Sequence, residues 1–145
     1  MGVMNSEPPE SLDQLCTLFQ AAVDAAAPER CVPPNLPDFP AGRTVVVGAG
    51  KAAAAMAAAV ERNWLAEISG LVVTANGHGV PLQRIQSMEA LHPVPDELAV
   101  EAAQNILQTV SGLGPDDLVL CLISGGGSAL MALPAPGITF ADKKA

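Results

Sequence analysis

Two short segments of this 145-residue sequence carry residue types that can hold an anion. Gly48-Ala-Gly-Lys51 follows the β-branched run Thr44-Val-Val-Val47, and Ser124-Gly-Gly-Gly-Ser128 follows the apolar run Leu118–Ile123. Glycines in such turns let backbone N–H groups approach a ligand closely, and the N-terminus of a following helix favours negative charge. The first turn adds the lysine. In the second, Ser124 and Ser128 bracket Gly125, Gly126 and Gly127 with hydroxyl donors. His78, in Asn76-Gly-His-Gly79, and His92, in His92-Pro-Val-Pro-Asp96, lie on two further loops, and Asp96 stands where it can cap a helix. Either glycine turn alone is also explained as a tight strand-to-helix connection. Two on one sheet, one of them ending in lysine, argue for an anion site.

Several sharper motifs are excluded by single residues. A Walker loop needs a glycine where Val45 stands and a Ser/Thr where Ala52 stands. Gly48-x-Gly50-x-x-Ala53 fits the alanine form of the dinucleotide pattern, yet the next strand ends in Thr74-Ala-Asn76, with no acid for a ribose. The hydrolase elbow G-x-S-x-G fails because Leu130 occupies its last position. No His or Cys pair has metal-ligand spacing, so no protein-built metal site is expected, and any metal would arrive with a nucleotide.

The elements that must carry these turns follow from periodicity. Ser11 and Gln14 form a capping-box pattern ahead of Leu12, Leu15, Leu18, Phe19, Ala22, Val23 and Ala26, which predicts a helix over about residues 12–27 with one buried face, ended by Pro28. Four prolines between positions 32 and 40 predict an extended connector. From position 43 onward, apolar runs at 44–47, 70–74 and 118–123 alternate with helical segments. One is the Ala-rich stretch 51–60; another is a helix capped by Asp96, with Leu98, Ala102, Ala103, Ile106, Leu107 and Val110 on one side. Strands apolar on both faces and separated by helices predict a three-layer α/β/α, Rossmann-like domain with a mainly parallel sheet. Ligands bind such sheets beyond the carboxyl ends of the strands, where both glycine turns lie.

Composition narrows the partners. Half of the residues are hydrophobic, and a chain of this length can bury a core without staples. Fifteen acidic against seven basic residues give a net charge of −8, which argues against nucleic-acid and anionic-membrane surfaces. No apolar run approaches the ~20 residues of a spanning helix, and no basic signal-peptide head is present. Cys16, Cys31 and Cys121 lack C-x-x-C spacing and fit reduced thiols, so a cytoplasmic protein is expected.

Taken in order, Val45-Val-Val-Gly-Ala-Gly-Lys-Ala52, His92-Pro-Val-Pro-Asp-Glu97 and Ile123-Ser-Gly-Gly-Gly-Ser-Ala-Leu130 resemble the N-terminal signatures of the type-2 glycerate kinase family, the MOFRL-containing kinases also labelled hydroxypyruvate reductases. The resemblance covers about residues 11–145. It implies ATP-dependent phosphorylation of D-glycerate, or a related hydroxy acid, to 2-phosphoglycerate, with nucleotide-bound Mg2+. The site would be a cleft between an N-terminal α/β domain and a C-terminal domain.

On that reading residues 1–10 are a flexible start, and residues 11–145 are the N-terminal domain, truncated before the second; homo-oligomers are compatible with it. The family's catalytic or phosphate-contacting lysine maps onto Lys51. Nucleotide or phosphate contacts map onto Gly48, Gly50 and residues 124–128, and the substrate vicinity onto His78, His92 and Asp96. Where the family commonly has a basic residue and an aromatic before Gly-His, this sequence has Ala75 and Asn76. Two other readings share the glycine turns: an NAD(P)-linked hydroxypyruvate reductase, and a non-catalytic module binding a nucleotide or sugar phosphate.

Overall fold

The computed structural model describes residues 10–144. Of the start expected to be flexible, residues 1–9 lie outside the described residues, and Glu10 already opens the first helix. Branching at Cβ restricts χ1 and favours extended backbone, and Thr44-Val-Val-Val47 continues through Gly48 and Ala49 into β1 (Thr44–Ala49), buried along its whole length. Parallel strands flank it, β2 (Ile68–Ala75) on one side and β4 (Leu118–Ile123) on the other. A fourth strand, β3 (Gln86–Ala90), pairs in parallel outside β2, so the order is β3-β2-β1-β4. The apolar pattern does not reveal β3. Gln-Ser-Met-Glu-Ala sits at the sheet edge and fully buries only Ala90, so it needs no apolar run.

Three layers form because the strands alternate. The odd-numbered residues Val45, Val47, Leu71 and Val73 face α4 (Glu97–Thr109), packing on its Ala99, Ala102 and Ile106. On the opposite face Val46, Val72 and Leu122 pack on Ala53, Ala57 and Val60 of α3 (Ala53–Asn63). Alanine on the helices brings their backbones close to the valines, which suits interiors packed at crystal-like density. Asp96 caps α4 as expected, its Oδ1 accepting the Ala99 N–H at 3.1 Å.

The N-terminal helix departs from its expected role. It is present as α1 (Glu10–Ala25), but it begins before Ser11, which therefore lies inside the helix and not at its cap. Leu12, Leu15, Leu18, Phe19 and Val23 are exposed. Periodicity marks a face fit for burial without supplying what buries it. Pro28 ends α1 and starts the short α2 (Pro28–Cys31), since proline lacks only a donor that the first helical turn leaves free. The proline-rich connector is not wholly extended either, because Pro33–Asn35 forms a single 3-10 turn.

No helix joins β2 to β3. Instead the Glu61 carboxylate, near the end of α3, accepts the N–H groups of Gln83, Arg84 and Ile85 at 2.7–3.1 Å. Arg84 reaches back to donate to the carbonyls of Glu61, Trp64 and Ala66. Partial burial pushes the Glu61 pKa up, but the three N–H donors and the Arg84 charge outweigh it and hold the group below its ordinary value. All three cysteines are exposed free thiols, and among the described residues no helix is long and apolar enough to cross a membrane.

Candidate functional site

The chain steps outward from β1 to β2 to β3, then returns to place β4 on the other side of β1. That reversal makes the carboxyl ends of β1 and β4 the topological switch point, where open parallel sheets form a crevice. Ala49 pairs with Ile123, so the two strands end level and both glycine turns leave the sheet side by side.

Gly48 proves to be the penultimate residue of β1 and not part of the turn. A Cβ there would strike the Leu122 carbonyl of β4, so this glycine permits close strand approach. Gly50 has φ 133°, a conformation that side chains rarely adopt, and a Cβ would collide with Ser124. Its N–H donates to the Val73 carbonyl at 3.1 Å. Beyond it, the peptide joining Lys51 and Ala52 is held at both ends. Its carbonyl accepts the Thr74 hydroxyl at 3.1 Å, and its N–H donates to the Ser124 hydroxyl at 2.9 Å. Only then does α3 begin.

Two clefts open beside this peptide. One of ≈ 390 Å³ is lined by Lys51, Ala75, Asn76, His78, Leu91, His92 and Pro93. The other, of ≈ 470 Å³, is lined by Lys51, Ala52, His92, Ser124, Gly125, Gly126 and Leu130. Lys51 and His92 belong to both. Neither lining contains an Asp or Glu, although the chain has 15 acidic residues. Ammonium, imidazoles, a hydroxyl and glycine backbone are a donor set for an anion.

Gly125, at φ 64°, and Gly126 have open space where a side chain would stand, so their backbone is approachable from the cleft. The second turn then enters a single 3-10 turn, Gly127–Ala129, rather than a longer helix.

Of the residues singled out in the sequence, Lys51, His78, His92, Ser124, Gly125 and Gly126 are thus brought together. Gly48 and Gly50 line neither cleft and act by allowing strand and turn to pack. Gly127 lines neither cleft, and a Cβ there would stand 3.0 Å from that of Ala49. Asp96 also lies outside both linings and serves as the helix cap. The side chain of Ser128 lies outside the described residues.

Two residues of the arrangement were not evident beforehand. Thr74 is fully buried yet polar, a signal masked by its place in a β-branched run. Glu89 of β3 accepts the N–H groups of Gly77 and Gly79 at 3.0 and 3.1 Å, bracketing His78 and fixing its loop.

Fold and turns together define a doubly wound parallel α/β domain with two clefts at its switch point that share Lys51 and His92. The chain belongs to the family described as a domain of unknown function, DUF4147, whose model matches residues 14–145. It is 57% identical over 129 residues to a protein of Agrobacterium vitis named "Putative hydroxypyruvate reductase", covering 88% of this chain and 30% of that protein. To the D-glycerate 2-kinase of Thermotoga maritima it is 38% identical over 137 residues, 92% of this chain and 33% of that one. The crystal structure of a Thermotoga maritima glycerate kinase superposes with a TM-score of 0.81 at 38% identity, covering 92% of this chain and 33% of that chain. The resemblance read from the three motifs is therefore borne out. The chain spans about a third of the length of these relatives.

Proposed function

We propose that this chain forms one wall of the active site of an ATP-dependent D-glycerate 2-kinase. The observation that carries the reading is Lys51, shared by two adjacent, acid-free clefts at the switch point of the sheet. Transfer of a phosphoryl group needs donor and acceptor held in line and positive or N–H groups around the moving oxygens, with little covalent help from protein. The cleft at Ser124, Gly125 and Gly126 suits the phosphates of ATP: approachable backbone, and a Ser124 hydroxyl that accepts from Ala52 while keeping its own proton to donate. The cleft at Asn76, His78 and His92 suits the carboxylate and hydroxyls of the hydroxy acid. Lys51, between them, would meet the phosphoryl group in transit.

The donor set does not fit a metal cage. Among the described residues no group of three His, Cys, Asp or Glu side chains could hold a metal ion. Magnesium in this proposal travels with the nucleotide, where it screens phosphate charge, and the protein groups act on the phosphates directly. The 57%-identical relative carries the name of a reductase, so that chemistry is the competing reading. Against it stands the end of β2, Thr74-Ala-Asn76, which offers no carboxylate to a ribose.

The discriminating experiment is product analysis on a hybrid in which this chain replaces the matched third of the Thermotoga maritima kinase. With ATP, Mg2+ and D-glycerate, 31P NMR should show 2-phosphoglycerate, and NADH with hydroxypyruvate should be left unconsumed. NADH oxidation without a phosphorylated product would overturn the proposal. Residues 1–145 alone should not turn over glycerate, because one wall of a cleft cannot align the acceptor, and alignment is worth ~7 to 11 kcal/mol of a barrier.

A further inference from the structure

We infer that Thr74 is the positioning residue for Lys51, acting through the peptide that joins Lys51 to Ala52; the inference rests on the reading of Lys51 as a phosphate-contacting group. Lys51 leaves the sheet in a turn, outside any helix, and four carbon atoms already separate its ammonium from its backbone. Without restraint on the backbone, the charge would sweep a wide volume.

The restraint comes from the two strands flanking β1. Thr74 of β2 donates to the carbonyl of that peptide, and Ser124 at the end of β4 accepts its N–H, so both polar ends of one rigid planar unit are tied to opposite neighbours. Rotation of the peptide about the chain axis breaks both bonds together. The two restraints differ in character. Ser124 lines the phosphate-side cleft and can also touch a ligand, whereas Thr74 is 0% exposed and lines neither cleft. Thr74 can influence an anion only through the Lys51–Ala52 peptide that it holds.

Valine matches threonine in β-branching and strand preference, so what distinguishes Thr74 in this strand is its hydroxyl and the bond it makes to the Lys51 carbonyl. The hydroxyl is therefore the feature that the turn uses. Its loss also leaves the Lys51 carbonyl without this donor, which favours a rearranged turn over the native one.

The test uses the hybrid with the Thermotoga maritima kinase, in which the site has both walls, and inorganic triphosphate as the probe, followed through the backbone amide resonances of Lys51 and Ala52. Thr74→Val should weaken triphosphate binding about tenfold, the scale of one hydrogen bond. It should also lower the order parameters of the Lys51 and Ala52 amides from the rigid range near ~0.85, while the methyl resonances of Val46 and Val72 stay in place. Thr74→Ser should restore binding to within about twofold of the parent. Should the valine variant not fold, Thr74→Ala, which adds no atoms, reads the same loss.

Lys51→Met separates the two levels of the argument. If it abolishes the binding of triphosphate while Thr74→Val and Thr74→Ala bind as the parent does, the positioning role is overturned and the anion site stands. If Lys51→Met itself binds as the parent does, or the parent does not bind, the reading of Lys51 falls and takes this inference with it.

Discussion

Asp117 grips Arg43 twice, its Oδ1 accepting the backbone N–H at 2.7 Å and its Oδ2 the guanidinium at 3.0 Å. Arg43 immediately precedes β1 and Asp117 immediately precedes β4, so this pair joins the starts of the strands whose far ends carry the two glycine turns. The Gly114 N–H is the largest of the influences that hold the Asp117 carboxyl down, followed by the Arg43 contacts, and together they bring its pKa to about 2. A carboxyl depressed in the folded state stabilises the fold above its unfolded value, near ~3.9, and that contribution is lost as pH falls toward the folded value.

Acid unfolding therefore tests the pair. Between about pH 4 and pH 2 the parent should lose stability more steeply than Asp117→Asn, because the amide no longer binds the proton that weakens the contact. At pH 7 the variant should be the less stable of the two. Identical slopes in urea unfolding series across that range would show that Asp117 does not hold the strand starts.

Glu89 makes a local prediction. Its two oxygens accept from Gly77 and Gly79, and an amide can offer only one oxygen to them. Glu89→Gln should speed hydrogen exchange at those two amides and around His78, with global stability changed by less than about 1 kcal/mol, as expected of an exposed site. Unchanged exchange at Gly77 and Gly79 would remove Glu89 from its role in ordering the loop.

Leu130, just past the second turn, is fully buried in the core on the α4 side. Leu130→Ala should cost about 2–5 kcal/mol in unfolding free energy, the range for emptying a leucine site. A loss below about 1 kcal/mol would mean that the turn collapses readily onto the gap.

Gly50→Ala should be worse tolerated than its size suggests. The added Cβ meets Ser124 at a backbone angle of 133°, so strain and collision coincide beside the Lys51 turn. The measured outcome should be a stability loss of at least about 1–3 kcal/mol. Parent-like melting would contradict the observed turn geometry.

What the sequence made legible tracks what is buried. β1 and β2 stand out as apolar runs because the centre of a parallel sheet is covered on both faces, and the Asp96 cap stands out because a short acceptor precedes an amphipathic run. β4 is as apolar in sequence but lies at the other edge of the sheet, where Val119, Cys121 and Ile123 are exposed. β3 stays hidden because an edge strand that fully buries only Ala90 has no apolar signature. The stripe on α1 is equally plain in sequence, yet the described residues leave it exposed.

At the site, Lys51 and the glycines were readable because their chemistry is local to a turn. Thr74 was not, because its significance is a contact with a residue 23 positions away, and a threonine inside a β-branched run looks like an ordinary strand residue.

The most direct measurement of the central claim is the turnover of the Lys51→Met hybrid with the Thermotoga maritima kinase. Methionine keeps the stem's apolar length and deletes the cation, so folding should change little. If Lys51 neutralises charge on the transferring phosphoryl group, kcat should fall on the order of 10²- to 10³-fold, the scale of one preorganised electrostatic contact. A variant whose kcat and KM for ATP both stay within about twofold of the parent, only ~0.4 kcal/mol, would contradict the account.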